Sequence, residues 1–317
     1  MPASVPPNAQ YGDDTAGFLM PVTPTDLVRV YGFSNLDGWS CENGTATFVS
    51  DGEHFTCRCL PMSRSDAVRY RLDFVGHLRS VGLPVEDIVA AVDGNFAPCV
   101  HDDLVVLTRA TDVSPLGVLV SDEQAQQWGE LAARMHIAAR DWRPATSSPS
   151  AVARRTITAS LEQALAATSA SPVHSVILAR ETREIIGGCE AVVRGETSEP
   201  AHGDFRPRNL LLNETGLRAV GFDACGDAPA GTDAATALRS MPWRENRDLA
   251  ARCWRAWLGG YRAVDRDIDA LLPSMPALAC WQHLHWMLED IAVANEMAEI
   301  EKIIAARVAE IDTLMRL

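Results

Sequence analysis

His202-Gly203-Asp204-Phe205-Arg206-Pro207-Arg208-Asn209-Leu210-Leu211-Leu212 runs into Asn213-Glu214-Thr215-Gly216, then Leu217-Arg218-Ala219-Val220-Gly221-Phe222-Asp223. The first part reads as a loop carrying one carboxylate, Asp204, and one amide, Asn209. An apolar strand, a tight turn and a second strand follow, and the second strand ends in another carboxylate. A hairpin of this kind returns Asp223 to the neighbourhood of Asn209. Oxygen ligands from the two segments would then suit one hard divalent cation.

The His202-Gly203-Asp204 triplet, Asn209 at the D-x-x-x-x-N spacing, the apolar strand and the later acid together resemble the aminoglycoside phosphotransferase and choline kinase-like family. The resemblance implies an α+β, two-lobed protein kinase-like fold: a small antiparallel-sheet N-lobe and a mostly helical C-lobe. It implies ATP and Mg²⁺ as cofactors and Asp204 as the carboxylate that receives a hydroxyl proton. Asn209 and Asp223 would hold the metal, and His202 and Asp233 would be structural. Arg206 is placed toward the phosphates and Arg208 toward solvent.

The family phrase I-D-F-D/E…G-x-P…D-L-A fits this chain in two registers. Aligned without gaps from Asp233, Gly221 falls on the usual metal-binding Asp, and Asp223 becomes the second acid. Shortened by two residues, the phrase puts Asp223 on the metal position itself. Residues two apart on a strand share a face, so Asp223 can reach the ion in either register.

Upstream, Cys41–Val49 and Glu53–Leu60 alternate around Ser50-Asp51-Gly52 and read as a β-hairpin. In the resembled family this hairpin lies over ATP. Asn43 stands in its opening phrase, and Arg58 stands where a basic side chain is aimed at the phosphates. A plain surface strand residue is the other reading of Arg58. A helix capped by Ser65-Asp66 is expected over Ala67–Val81, with Leu72, Val75, Leu78 and Val81 on one face. The family's acidic partner for the strand basic residue falls at Arg71, so that ion pair is either rebuilt through Asp73 or absent. Asp103–Thr111 reads as a strand entering an inter-lobe hinge, where the backbone of Arg109, Ala110 and Thr111 would meet the adenine edge.

Thr23-Pro24 opens a short helix through Tyr31, and Ser121-Asp122-Glu123-Gln124 is a capping box. The helix that follows the box carries Trp128, Leu131, Ala132 and Met135, with His136 as a hydrogen-bonded core residue. Further helices are expected over Ala151–Ala167, Val173–Arg194, Arg244–Tyr261 and Leu271–Leu317. The resulting plan is a flexible arm over residues 1–22, an N-lobe over 23–111 and a C-lobe with the catalytic loop and acceptor-binding helices over 112–317.

The 317 residues are 47% apolar and 22% charged, ordinary for a globular chain, with a formal charge of −14 that disfavours nucleic acid. That charge suits a cationic or neutral acceptor and also serves solubility. No apolar run reaches the roughly 18 residues of a membrane span, and the start lacks the features of a secretory signal, so a cytoplasmic setting without membrane contact is expected. The eight cysteines are expected as free thiols, since Cys57 and Cys59 lack a second pair at zinc spacing.

Three functions follow. The first is an ATP-dependent phosphotransferase acting on a hydroxyl of a small molecule, aminoglycoside-, amino alcohol- or sugar-like. The second directs the same chemistry at Ser/Thr of a peptide or protein. The third is a pseudokinase or binding protein, motivated by Gly221 and Arg71. The acceptor and the oligomeric state are not legible in the sequence.

Overall fold

The computed structural model describes residues 21–42, 44–110, 115–117, 121–144, 187–189, 191, 192, 195, 197–214, 216–283, 310, 311, 313 and 314. The expected arm before Pro21, the helix over 151–167, most of that over 173–194 and most of the stretch beyond 283 lie outside these residues. So do Asn43 and Thr111.

Helix α1, Pro24–Tyr31, starts at a reciprocal capping box between Thr23 and Asp26 and stops at Gly32, whose φ of 75° ends the helix in the left-handed region. Its Leu27 and Tyr31 are buried beneath the first sheet. That sheet contains β1 (Asp37–Glu42), β2 (Thr45–Ser50), β3 (Glu53–Pro61), β4 (Asp87–Val89), β5 (Cys99–Val100) and β6 (Asp103–Ala110). The order is β1-β2-β3-β6-β4, with β5 also on β6, and every pairing is antiparallel. The run expected as one strand over Cys41–Val49 is two strands, because the chain reverses where Gly44 adopts a φ of 69°.

Helix α2, Ser65–Ser80, follows a 3₁₀ turn over Met62–Arg64, so Ser65 lies inside the helix and no side chain caps its start. Its core face is Val68, Arg71, Val75 and Leu78, with Tyr70 and Phe74 beside it, whereas Val81 is exposed. The charged Arg71 on that apolar face matters for the site.

The helical half is built on α3 (Asp122–Asp141), α4 (Thr232–Arg239) and α5 (Arg247–Val264). Two short antiparallel pairs sit with it: β7 (Ser198–Ala201) with β10 (Gly226–Pro229), and β8 (Leu210–Asn213) with β9 (Gly216–Ala219). Helices α3 and α5 approach backbone to backbone. A Cβ on Gly129 would stand 2.0 Å from the Trp257 carbonyl oxygen, and one on Gly260 would stand 2.0 Å from that of Gln126. Trp128, Trp257, Tyr261, Phe205 and Phe222 fill the core around this crossing. The whole is a two-lobed α+β fold, with the β8–β9 hairpin and its flanking loops below the first sheet. Val85 and Pro84 join the two parts by pairing with Ala219. Among the described residues no helix is long and apolar enough to cross a membrane. None of the cysteines is in a disulfide, and Cys41 and Cys99 are exposed.

Candidate active site

The loop 202–209 is held from beneath. Asp233, fully buried on α4, accepts the backbone N–H of His202 at 2.8 Å on one carboxylate oxygen and that of Gly203 at 2.9 Å on the other. Its Oδ2 also lies 3.4 Å from His136 Nε2, and His136 Nδ1 is 2.7 Å from the Tyr261 hydroxyl. Burial alone would raise the Asp233 pKa, but His136 and the His202 amide more than offset it and hold the carboxyl below its ordinary value. For His136 burial favours the neutral ring, and the contact with Asp233 outweighs it, so its pKa is raised.

His202 is buried against Phe222 and Phe205. Its Nδ1 accepts the N–H of Asp204 at 3.3 Å, which leaves Nε2–H to donate to the Val220 carbonyl at 3.0 Å. Gly203 has a φ of 82°, and a Cβ there would meet the Ala224 carbonyl oxygen at 2.1 Å. Only glycine lets the loop lie so close to the turn after β9. The triplet His202-Gly203-Asp204 is thus a backbone device that presents Asp204.

Asp204 is 4% exposed. Arg206 sets Nε 2.6 Å from one carboxylate oxygen and donates from Nη2 to the other at 2.9 Å. Arg208, expected to face solvent, also donates to Oδ2, at 3.0 Å, while its side chain stays 37% exposed. Asn209 donates from Nδ2 to the Asp204 carbonyl at 2.7 Å and to Oδ2 at 3.0 Å.

The second acid sits differently from the sequence expectation. Strand β9 ends at Ala219, Gly221 turns into the left-handed region with a φ of 77°, and Asp223 lies on a 3₁₀ turn over Phe222–Ala224. Gly221 and Asp223 are therefore not neighbours on one strand face. It is Gly221 that abuts Asn209, where a Cβ would stand 2.9 Å from Oδ1. Asp223 instead gives one oxygen to Arg58 and the other to Arg71. Burial would raise its pKa; the two guanidiniums override this and hold it at about 2.

Arg71 donates from Nε at 3.0 Å and Nη2 at 2.8 Å to Glu86 Oε1, and Glu86 Oε2 accepts the N–H of Gly221 at 3.0 Å. The partner of Arg58 is thus Asp223, while Asp73 is exposed. Glu86 was missed in the sequence. The available signal was Arg71 itself: an arginine at the i, i+4, i+7 positions shared with Val75 and Leu78 needs a buried acid.

The proposed adenine-edge residues divide. Arg109 has Cα partners on both sides, Phe55 of β3 and Asp87 of β4, so its backbone faces a strand whichever way it points. Its side chain pairs with Glu53 and Asp87 and lies 5.4 Å from the Phe55 ring centre. Ala110 has a strand neighbour on the β3 side alone, His54.

The donor set does not suit a divalent cation. The Asp223 oxygens face two guanidiniums, the Asp204 oxygens face two more and an amide, and Gly221 offers no side chain. Among the described residues no three of His, Cys, Asp and Glu gather as ligands.

No curated protein matches the chain in sequence. Among solved structures, an amicoumacin kinase in complex with AMP-PNP, Ca²⁺ and Ami superposes with a TM-score of 0.74 at 14% identity, over 91% of this chain and 92% of that one. A microcompartment-associated aminopropanol kinase gives 0.66 at 17% identity, over 92% and 95% of the two chains. An aminoglycoside phosphotransferase from Alicyclobacillus acidocaldarius gives 0.66 at 14% identity, over 95% and 97%. Identities this low speak for the shared fold. The family itself is given by sequence: the model of the phosphotransferase enzyme family matches residues 49–266, from the β2–β3 hairpin through the loop of Asp204 to the end of α5. The chain belongs to that family.

Proposed function

We propose that the protein transfers a phosphoryl group from a nucleoside triphosphate, ATP in the first instance, to a hydroxyl of a small molecule. The observation that carries this reading is Asp204, a buried carboxylate fixed on a rigid loop among Arg206, Arg208 and Asn209. Phosphoryl transfer needs positioning and charge stabilisation more than covalent help. Asp204 orients the acceptor hydroxyl and takes its proton. Arg206 and Arg208, which rest on Asp204, neutralise the charge that develops on the transferred group. Arg58, on β3 and 42% exposed, braces the phosphates from the sheet side. The structurally similar proteins named for amicoumacin, aminopropanol and aminoglycoside support an amine-bearing acceptor. A formal charge of −14 favours such a cation.

The experiment is nucleotide turnover against a panel of aminoglycosides and amino alcohols, with Asp204→Asn as the control. Turnover with at least one acceptor, lost in Asp204→Asn while nucleotide still binds, is expected. Turnover that survives Asp204→Asn overturns the assignment. One observation favours a second reading, a nucleotide-binding protein without transfer: Gly221 brings no carboxylate to Asn209. Nucleotide binding with no turnover on any acceptor selects it.

A further inference from the structure

Four guanidiniums and three carboxylates pair in two sets on either side of the Gly221–Asn209 contact, one reaching Gly221 through Glu86 and the other reaching Asn209 through Asp204. Glu86 pairs with Arg71, Arg71 and Arg58 pair with Asp223, and Arg206 and Arg208 pair with Asp204. One positive charge is in excess before any ligand arrives. Such a site attracts a polyphosphate and repels a dication.

The individual atoms agree. Asn209 spends Nδ2 on Asp204, and its Oδ1 faces the place where a Cβ on Gly221 would stand, 2.9 Å away, so the chain sets no second carboxylate there. The guanidiniums fall into two kinds. Arg71 is 6% exposed and fixed by Glu86, whereas Arg58 and Arg208 are 42% and 37% exposed and held through single oxygens. The exposed pair can turn to a ligand without leaving a buried charge behind, since Arg71 stays on Asp223, and Arg206 and Asn209 stay on Asp204. A guanidinium is permanently charged, and its planar fork matches two phosphate oxygens at once.

We propose that this site neutralises the phosphates of its nucleotide with Arg58 and Arg208, beside an Arg206 that stays on Asp204, in place of a divalent cation, and that it binds nucleoside polyphosphates without metal. The proposal deepens the phosphotransferase reading and rests on it. Gly221 is then the residue that removes the metal, and Arg71 with Glu86 is the fixed base on which the arginine site is built.

The test is calorimetric titration of the full chain with a non-hydrolysable ATP analogue, in excess EDTA and in excess Mg²⁺. The dissociation constants are expected to agree within about threefold, and Arg58→Gln to weaken binding about tenfold in both conditions. Raising the salt should weaken the EDTA binding steeply, as for any phosphate site made of arginines. Gly221→Asp, which adds a carboxylate beside Asn209 at a backbone conformation that Asp tolerates better than most residues, should introduce a dependence on Mg²⁺. Wild-type binding that disappears in EDTA and returns with Mg²⁺ overturns the metal-free site and leaves the phosphotransferase reading standing. Absence of binding in both conditions overturns the two together.

Discussion

Asp233 grips His202 by its backbone, 2.8 Å from the amide nitrogen, and with its other oxygen takes the next amide as well. Two adjacent N–H groups of the loop that carries Asp204 thus end on one fully buried carboxylate. Asp233→Asn keeps the volume but presents a single acceptor oxygen, so one amide and the contact with His136 are lost together. A loss of about 3 kcal/mol is expected, read as a lower urea midpoint, with turnover falling further than the unfolded fraction explains. A variant with wild-type turnover would show that the loop holds its geometry without this brace.

The contact of Asp233 with His136, and that of Asp223 with its two guanidiniums, set a pH dependence. His136 has a raised pKa in the folded chain, so its contribution is fully present below about pH 6.5 and is lost as the pH rises through the folded value. Asp223 behaves the other way. Held at about 2, it contributes above the unfolded value of about 3.9 and loses that contribution as the pH falls toward 2. Urea midpoints measured across pH should form a plateau between these limbs, and His136→Gln should flatten the alkaline one and, because Asp233 loses the partner that lowers its pKa, weaken the acid one as well. An alkaline limb unchanged in His136→Gln would assign it to another group.

The crossing of α3 and α5 gives a third expectation. A methyl group on Gly129 or Gly260 would overlap a main-chain carbonyl at 2.0 Å, and neither helix can yield without moving the tryptophans packed beside it. Each single Gly→Ala change should cost about 3 kcal/mol or more, although alanine is the better helix former by about 1 kcal/mol. Gly259 has nothing within 4 Å of its would-be Cβ, so Gly259→Ala should be neutral or stabilising. Thermal melts of the three variants separate packing from propensity.

How much of this was legible varies with the kind of signal. The helix starts at Thr23 and Ser121 were readable because a cap is a local arrangement of side chain and backbone. The His202–Asn209 loop was readable as a motif, and the stripe from Trp128 to His136 as a period. The pairing of charges was not. Arg58 and Asp223 are 165 residues apart, and Arg71 and Asp223 are 152 apart. Nothing local in either segment says which acid meets which base. The position of Asp223 was misjudged for a related reason: the strand was extended through Gly221, whereas the positive φ of that glycine ends it and turns the acid toward α2 and β3. Strands β4, β5, β7 and β10 are two to four residues long, too short for alternation to register.

The two ends of the charge chain should respond oppositely to mutation. Glu86 and Arg71 are each 6% exposed, and Glu86 serves both the guanidinium and the Gly221 amide through different oxygens. Glu86→Gln leaves one acceptor oxygen for two donors and strands part of the positive charge of Arg71 in the core, which should cost about 3 to 5 kcal/mol. Arg58 reaches Asp223 from a half-exposed position, and Asp223 keeps Arg71 when Arg58 is gone. Arg58→Gln should therefore cost less than about 1 kcal/mol. Urea denaturation of the two single variants and the double variant measures both costs and their coupling. Equal losses from Glu86→Gln and Arg58→Gln would mean that solvent reaches Arg71 and Glu86 as freely as it reaches Arg58, and that the chain has no fixed end.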